Sequence, residues 1–179
     1  LLAMQAIPRP HENWKTLLLA GVVHGSHVEQ FGRLLGTIHR RSWERRDEVA
    51  VLFGDRAYFE SLRIEPYFRY AASQLPRAAS FLTGVIDSVW GRRLALVHGD
   101  YSPKNLLVRQ GSLVLLDHET IHFGDPAFDV GFSLTHLLAK ANHLIHLRAE
   151  LAAAAREHWR AYRDALGEDV PWATDLESH

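Results

Sequence analysis

The chain has 179 residues, 47% of them hydrophobic, with 20 basic against 21 acidic side chains and no cysteine. That length and apolar content suffice to bury a core and exclude a disordered tail, while the near balance of charge gives no overall field to recruit nucleic acid or an anionic membrane. The lack of cysteine excludes a disulfide framework and thiolate metal sites and fits a reducing compartment, so the cytoplasm is the expected location.

The longest apolar stretches, residues 17–23 and 134–139, fall far short of the roughly 20 residues of a membrane helix. No basic segment precedes the apolar start, as a signal peptide would require. Opening on Leu1 rather than methionine gives the expectation of further sequence upstream.

Residues 1–7 are apolar apart from Gln5 and are closed by Pro8-Arg-Pro10, which reads as the end of a buried strand passing into a hinge. Residues 1–10 are therefore expected to be strand end and hinge, and residues 11–179 one lobe. From Val28, apolar Phe31, Leu34, Leu35 and Ile38 recur at helical spacing, with Ser26 as the N-cap and Arg40 and Arg41 near the end, where cations suit the helix dipole. Tyr58, Leu62, Tyr67, Phe68 and Tyr70 predict one or two helices broken or bent at Pro66, and Pro76 opens another that runs to about Trp90.

The texture changes at Leu94. Leu-Ala-Leu-Val, a polar loop, an apolar run at 106–108, a Gln-Gly-Ser turn and a second run at 113–116 predict short strands with a hairpin. After a loop over 117–126, helices are expected over 128–139 and 144–166, the latter with Leu147, Leu151, Ala155, Trp159 and Tyr162 on one face. The alanine run at 152–155 reflects helix propensity, and no internal repeat is present. The fold class is α+β, mainly α-helical, with a short β-hairpin.

Chemistry concentrates in His98-Gly-Asp-Tyr-Ser-Pro-Lys-Asn105, in Asp117-His-Glu119 and in Gly124-Asp-Pro-Ala-Phe-Asp129. Loops that leave short strands can bring Asp100, Asn105 and Asp117 together on a rigid base. Two carboxylates and an amide oxygen are hard ligands that favour magnesium shared with substrate phosphates over zinc. Phosphoryl transfer asks for a carboxylate to accept the proton of an attacking hydroxyl, here Asp100, and for metal ligands, here Asn105 and Asp117.

The His98-Gly-Asp-x-x-x-x-Asn105 segment resembles the catalytic loop of the aminoglycoside phosphotransferase and choline kinase superfamily, and Asp117-His-Glu119 and Gly124-Asp-Pro-x-x-Asp129 are similar to its metal loop and the segment that follows. Leu35-Gly-x-Ile-His39 resembles the helix packed under that loop, and Met4-Gln-Ala-Ile-Pro8 the hinge between lobes. The resemblance implies the C-terminal lobe of a protein-kinase-like fold that transfers a phosphoryl group from ATP, with magnesium, to a hydroxyl of an aminoglycoside, amino alcohol or sugar. It implies Asp100 as base, Asn105 and Asp117 as metal ligands, and a supporting role for His98. Asp129 braces the loop through backbone hydrogen bonds, Leu107 and Leu116 floor the adenine site, and the backbone of Gln5 and Ile7 meets the adenine edge. Glu119 is left open between metal, water and substrate.

One departure stands out. The family's ATP clamp, a flexible phosphate-covering loop with a lysine and its acidic partner, is expected upstream of the hinge, and Lys15 and Lys104 are poor substitutes. The isolated lobe is expected to bind ATP weakly and to self-associate through apolar surface around residues 1–4 and Leu107. Two other readings are a metal-dependent hydrolase built on His98, Asp100, Asp117 and His118, and a non-catalytic interaction module. Of the twelve histidines, His118, His122, His136, His143 and His146 invite a zinc reading that solvated or core histidines explain better, and His39 reads as a satisfied interior histidine. Aromatics Trp43, Tyr58, Phe59, Tyr67 and Tyr70 are more often core than a cation–π acceptor pocket, and Glu44, Asp47, Glu48, Asp55 and Glu60 more often a solvated face.

Overall fold

The computed structural model describes residues 6–177. It is mainly helical, with two small antiparallel sheets. Most of the proposed strand at 1–7, including Gln5, lies outside the described residues, and Ile7 has no regular structure. A two-residue strand β1 (Glu12–Asn13) leads into α1 (Trp14–Leu19), whose Trp14 and Leu18 are fully buried.

The helix expected from Val28 is α2 (Gly25–Glu44), with Val28, Phe31, Leu35 and His39 on its buried face. Ser26 is not its cap: His24 occupies that position without a side-chain hydrogen bond, and Ser26 lies inside the first turn. The short helix α3 (Arg46–Leu52) follows. Next come α4 (Ala57–Phe59), a π-helical segment over Glu60–Arg69, and α5 (Tyr70–Gln74). The expected break at Pro66 does not occur. Proline lacks an N–H and its ring clashes with the carbonyl four residues back in an α-helix, and the wider π winding carries it through. Pro76 opens a turn of 3₁₀ helix before α6 (Ala79–Gly91).

Strand β2 (Ala95–Val97) pairs not with the hairpin but with β5 (His122–Gly124), a strand inside the segment expected to be loop. Its three residues are too few for a period-2 pattern to stand out in the sequence. The predicted hairpin is β3 (Leu106–Arg109) with β4 (Ser112–Leu115), turned by Gln110 and Gly111 at positive φ, and β1 adds to its edge. Helix α7 (Pro126–His143) is capped by Asp125, which accepts from the Ala127 N–H at 3.0 Å. After a 3₁₀ turn comes α8 (Arg148–Leu166), and the segment beyond it buries Val170, Trp172 and Leu176 in the main core.

The main core is built where α2 crosses α8. Gly32 and Gly36 let the backbones meet: an added Cβ would lie 2.3 Å from the His158 carbonyl oxygen and 2.4 Å from that of Tyr162. Phe31, Leu35, Leu151 and Tyr162 are buried there, and each such side chain contributes about 1.5–3 kcal/mol. A second cluster of Phe59, Ile64, Ile86, Val89, Val97 and Phe128 seats the helical insert at 57–91 on β2 and α7. Arg56 ties it further, donating to the carbonyls of Phe123, Trp90 and Arg92. Among the described residues no helix is long and apolar enough to cross a membrane.

Candidate active site

The turn after β2 is held from three sides. Gly99 has φ +78°, and a Cβ there would lie 2.7 Å from the Thr120 hydroxyl, so only glycine fits. Thr120 donates to the His98 carbonyl at 2.8 Å. From α7, the fully buried Asp129 accepts from the His98 N–H at 2.7 Å and the Gly99 N–H at 2.9 Å. Burial pushes the Asp129 carboxyl up, but the hydrogen bond and charge of His39, with help from His98, outweigh it and hold the group below its ordinary value. His39 is itself buried, 3.0 Å from the Tyr162 hydroxyl and 3.5 Å from Asp129.

His98 links the two loops. Its Nδ1 accepts from the Asp100 N–H at 3.2 Å, so Nε2 carries the ring hydrogen and donates to the Leu116 carbonyl at 3.0 Å. Asn105 ends a 3₁₀ turn, donates from Nδ2 to the Asp100 carbonyl at 3.0 Å, and accepts from the Leu116 N–H at 2.9 Å. The Asn105 carbonyl and amide thus lock the register of Asp100 against the end of β4. Asp117, at φ +65°, follows directly, and its carboxylate makes no hydrogen bond or ion pair among the described residues. Glu119 is exposed in the same loop. Leu107, on β3, and Leu116, just past β4, are half-buried on one side of it, and Ile7 is half-buried near the segment whose Pro8 carbonyl is bonded by Arg109.

Two cations that sequence reasoning did not assign to the site meet Asp100. Arg63 from the π segment and Lys104 from the loop place Nη2 at 2.8 Å and Nζ at 2.7 Å from Oδ2. Both contacts are within ion-pair distance but off hydrogen-bond alignment, since Oδ2 has no aligned donor. Arg63 also donates to the Gly99 carbonyl at 2.7 Å. The i,i+4 spacing of Asp100 and Lys104 is visible in the sequence, whereas nothing local marks Arg63.

The structure separates the histidines. His122 is buried, bonded to the Thr120 carbonyl, and pushed down to about 4 by burial. His143 ends α7 and His146 lies in the next turn, so they share no helix. Among the described residues no three His, Asp or Glu side chains form a group able to hold a metal. Both ring nitrogens of His98 are already committed to backbone, which takes His98 out of the set on which a hydrolase would rest.

A helical lobe that holds a His-Gly-Asp turn against a hairpin ending in aspartate defines a kinase-like phosphotransferase. The profile of the APH phosphotransferase enzyme family matches residues 13–165, and the chain belongs to that family. A search of curated proteins finds no match.

Proposed function

We propose that the chain carries the catalytic loop of an ATP-dependent phosphotransferase that acts on a hydroxyl of a small molecule. The observation that supports it best is the bracing of Asp100: its turn is clamped by Asp129, and Asn105 joins it to the loop bearing Asp117. In this reading Asp100 orients the acceptor hydroxyl and takes its proton as the new oxygen–phosphorus bond forms, while the bond between the β-phosphate oxygen and γ-phosphorus breaks and ADP leaves.

The donor set suits magnesium. The Asn105 amide nitrogen is anchored on the Asp100 carbonyl, which leaves its side-chain oxygen as a ligand, and the Asp117 carboxylate, near His118, makes no hydrogen bond or ion pair among the described residues. Two such ligands are enough for an ion that keeps water and phosphate oxygens as its other partners. Bound there, it would neutralise charge on the transferring phosphates.

The test is magnesium-dependent ATP consumption against a panel of hydroxylated amines, sugars and neutral alcohols. Asp100→Ala is expected to lower acceptor-dependent turnover about a thousandfold. Equal turnover by the variant and the wild type would overturn the reading.

A further inference from the structure

Between α6 and α7 lies a cleft of about 920 Å³, within the range of small-molecule sites, roughly 300–1,000 Å³. Its walls include Phe68, Phe81, Val85, Phe128, Phe132 and Leu134. Its lining holds no residue of the 98–105 loop and is tied to it through neighbours. Phe128 precedes the Asp129 that clamps the loop, Tyr67 follows Arg63 by one π turn, and His136 at one end feels the charges of Asp100 and Lys104.

Two glycines face this space from opposite helices. Gly84 on α6 and Gly131 on α7 both line the cleft, and a Cβ added at either would meet no atom within 4 Å. Glycine inside a helix costs about 1 kcal/mol relative to alanine. Gly32 and Gly36 offset that cost by admitting α8. Both glycines are exposed, as are others whose missing Cβ meets no neighbour, and what sets these two apart is that they line the cleft and keep it wide there.

The charge of the cleft selects among ligands. Among the described residues that line it, Asp125 is the one carboxylate, and it is spent on the α7 cap and lies 3.7 Å from Arg92 Nε. The acids that would greet a polycation are elsewhere: Glu48 pairs with Arg45, Glu60 with Arg69, and Asp55 accepts from the Ala57 N–H. Among the described residues no lysine or arginine lines the cleft, and at its His136 end the charges of Lys140, Lys104 and Lys15 are met by that of Asp100, which is ion-paired with Lys104. A cationic acceptor finds no uncommitted carboxylate in these walls, and an anionic one no basic side chain.

We propose that this cleft is the acceptor site, and that the acceptor is a neutral, largely apolar alcohol whose hydroxyl points toward Asp100. The assignment of the acceptor rests on the phosphotransferase reading, whereas the occupancy of the cleft does not.

The test uses cinnamyl alcohol and geraniol as probes, with choline, kanamycin and glucose as competitors, on the full-length protein. Calorimetry is expected to show micromolar binding of the two alcohols and none of comparable strength for the others. Gly84→Leu and Gly131→Leu fill the cleft and improve helix propensity, so they should melt at or above the wild-type temperature yet bind the alcohols roughly tenfold more weakly or worse. Should either variant fold poorly, intermolecular nuclear Overhauser contacts from the probe to the Phe81 and Phe132 rings in the wild type replace it, and their absence overturns the proposal. Binding no tighter than that of glucose, or equal binding by folded variants, also overturns it. ATP consumption elicited by choline, kanamycin or glucose but not by the alcohols overturns the acceptor class and leaves the phosphotransferase reading intact. Variant-sensitive binding with no ATP consumption for any acceptor upholds the cleft as the alcohol site and defeats the phosphotransferase reading instead.

Discussion

Arg63 and Asp100 meet 2.8 Å apart, guanidinium nitrogen to carboxylate oxygen, with at most a tenth of either side chain open to solvent. The pair joins the helical insert to the loop on which the proposed chemistry depends, and it sets the first expectation. Arg63→Met leaves a buried carboxylate with Lys104 as its remaining cation and should cost about 3 kcal/mol. Asp100→Asn removes a buried charge while Arg63 keeps its bonds to Gly99 and Leu62, and should cost less. Urea unfolding of both single variants and the double variant should give a coupling energy of about 1–3 kcal/mol.

Asp129 offers a sharper cut. Both its oxygens accept backbone N–H groups, and an amide at this position would turn one NH₂ toward a donor. Asp129→Asn is therefore expected to destabilise the protein by about 2–3 kcal/mol. Because the damage is to the turn that holds Asp100, acceptor-dependent turnover should fall at temperatures where circular dichroism still reports a folded chain.

Acid should unfold this protein early, and buried histidines give the reason. His158 stacks on Phe31, with ring centroids 4.5 Å apart, and burial pushes it down from 6.5 to about 3. The Ser133 hydroxyl gives its one hydrogen to the Val130 carbonyl, so His158 Nε2–H donates to Ser133 and Nδ1 is left without a partner. Between the folded and unfolded values the unfolded chain binds more protons, so stability rises with pH across that interval and is lost as pH falls from 6.5 toward about 3. His122, pushed down to about 4, adds to the same slope. His158→Gln is expected to flatten the stability profile between those limits, read by denaturant titration at stepped pH.

At the alkaline side Lys140 acts in the same sense. Burial, with Lys15 nearby, lowers it from 10.5 to about 8, so its charged form is disfavoured in the fold. Stability should rise as pH passes from about 8 to 10.5. Lys140→Met should remove that rise.

Two glycine substitutions of identical chemistry should move stability in opposite directions. Gly32→Ala sets a methyl 2.3 Å from the His158 carbonyl oxygen and forces α2 and α8 apart, at about 3 kcal/mol. Gly84→Ala meets nothing and should gain roughly 0.5–1 kcal/mol. Thermal melts without ligand distinguish the two directly.

Much of this protein was legible in its residue order, because the informative signals were local. The 3.6-residue apolar period of α2 and α8, the Gln-Gly turn of the hairpin and the run from His98 to Asn105 each report on structure formed within a few residues. They were sufficient for a mainly helical α+β fold and for the phosphotransferase family. Local rules also failed locally. Ser26 suits a cap but lies a residue inside a helix that starts earlier, and Pro66 breaks an α-helix but not a π-helix.

What residue order could not supply was every relationship between residues far apart along it. Arg63 reaches the Gly99 carbonyl across 36 positions, and His39 reaches Tyr162 across 123. Strand β5 exists only because β2 is beside it. Likewise Gly32 and Gly84 are indistinguishable as letters in a helix, and only the packing around them shows that one admits a neighbouring helix and the other opens on a cleft. Period and turn chemistry are properties of the local chain, whereas ion pairs, close approaches and empty volume belong to the surfaces that folding brings together, and those surfaces were decided by the tertiary structure alone.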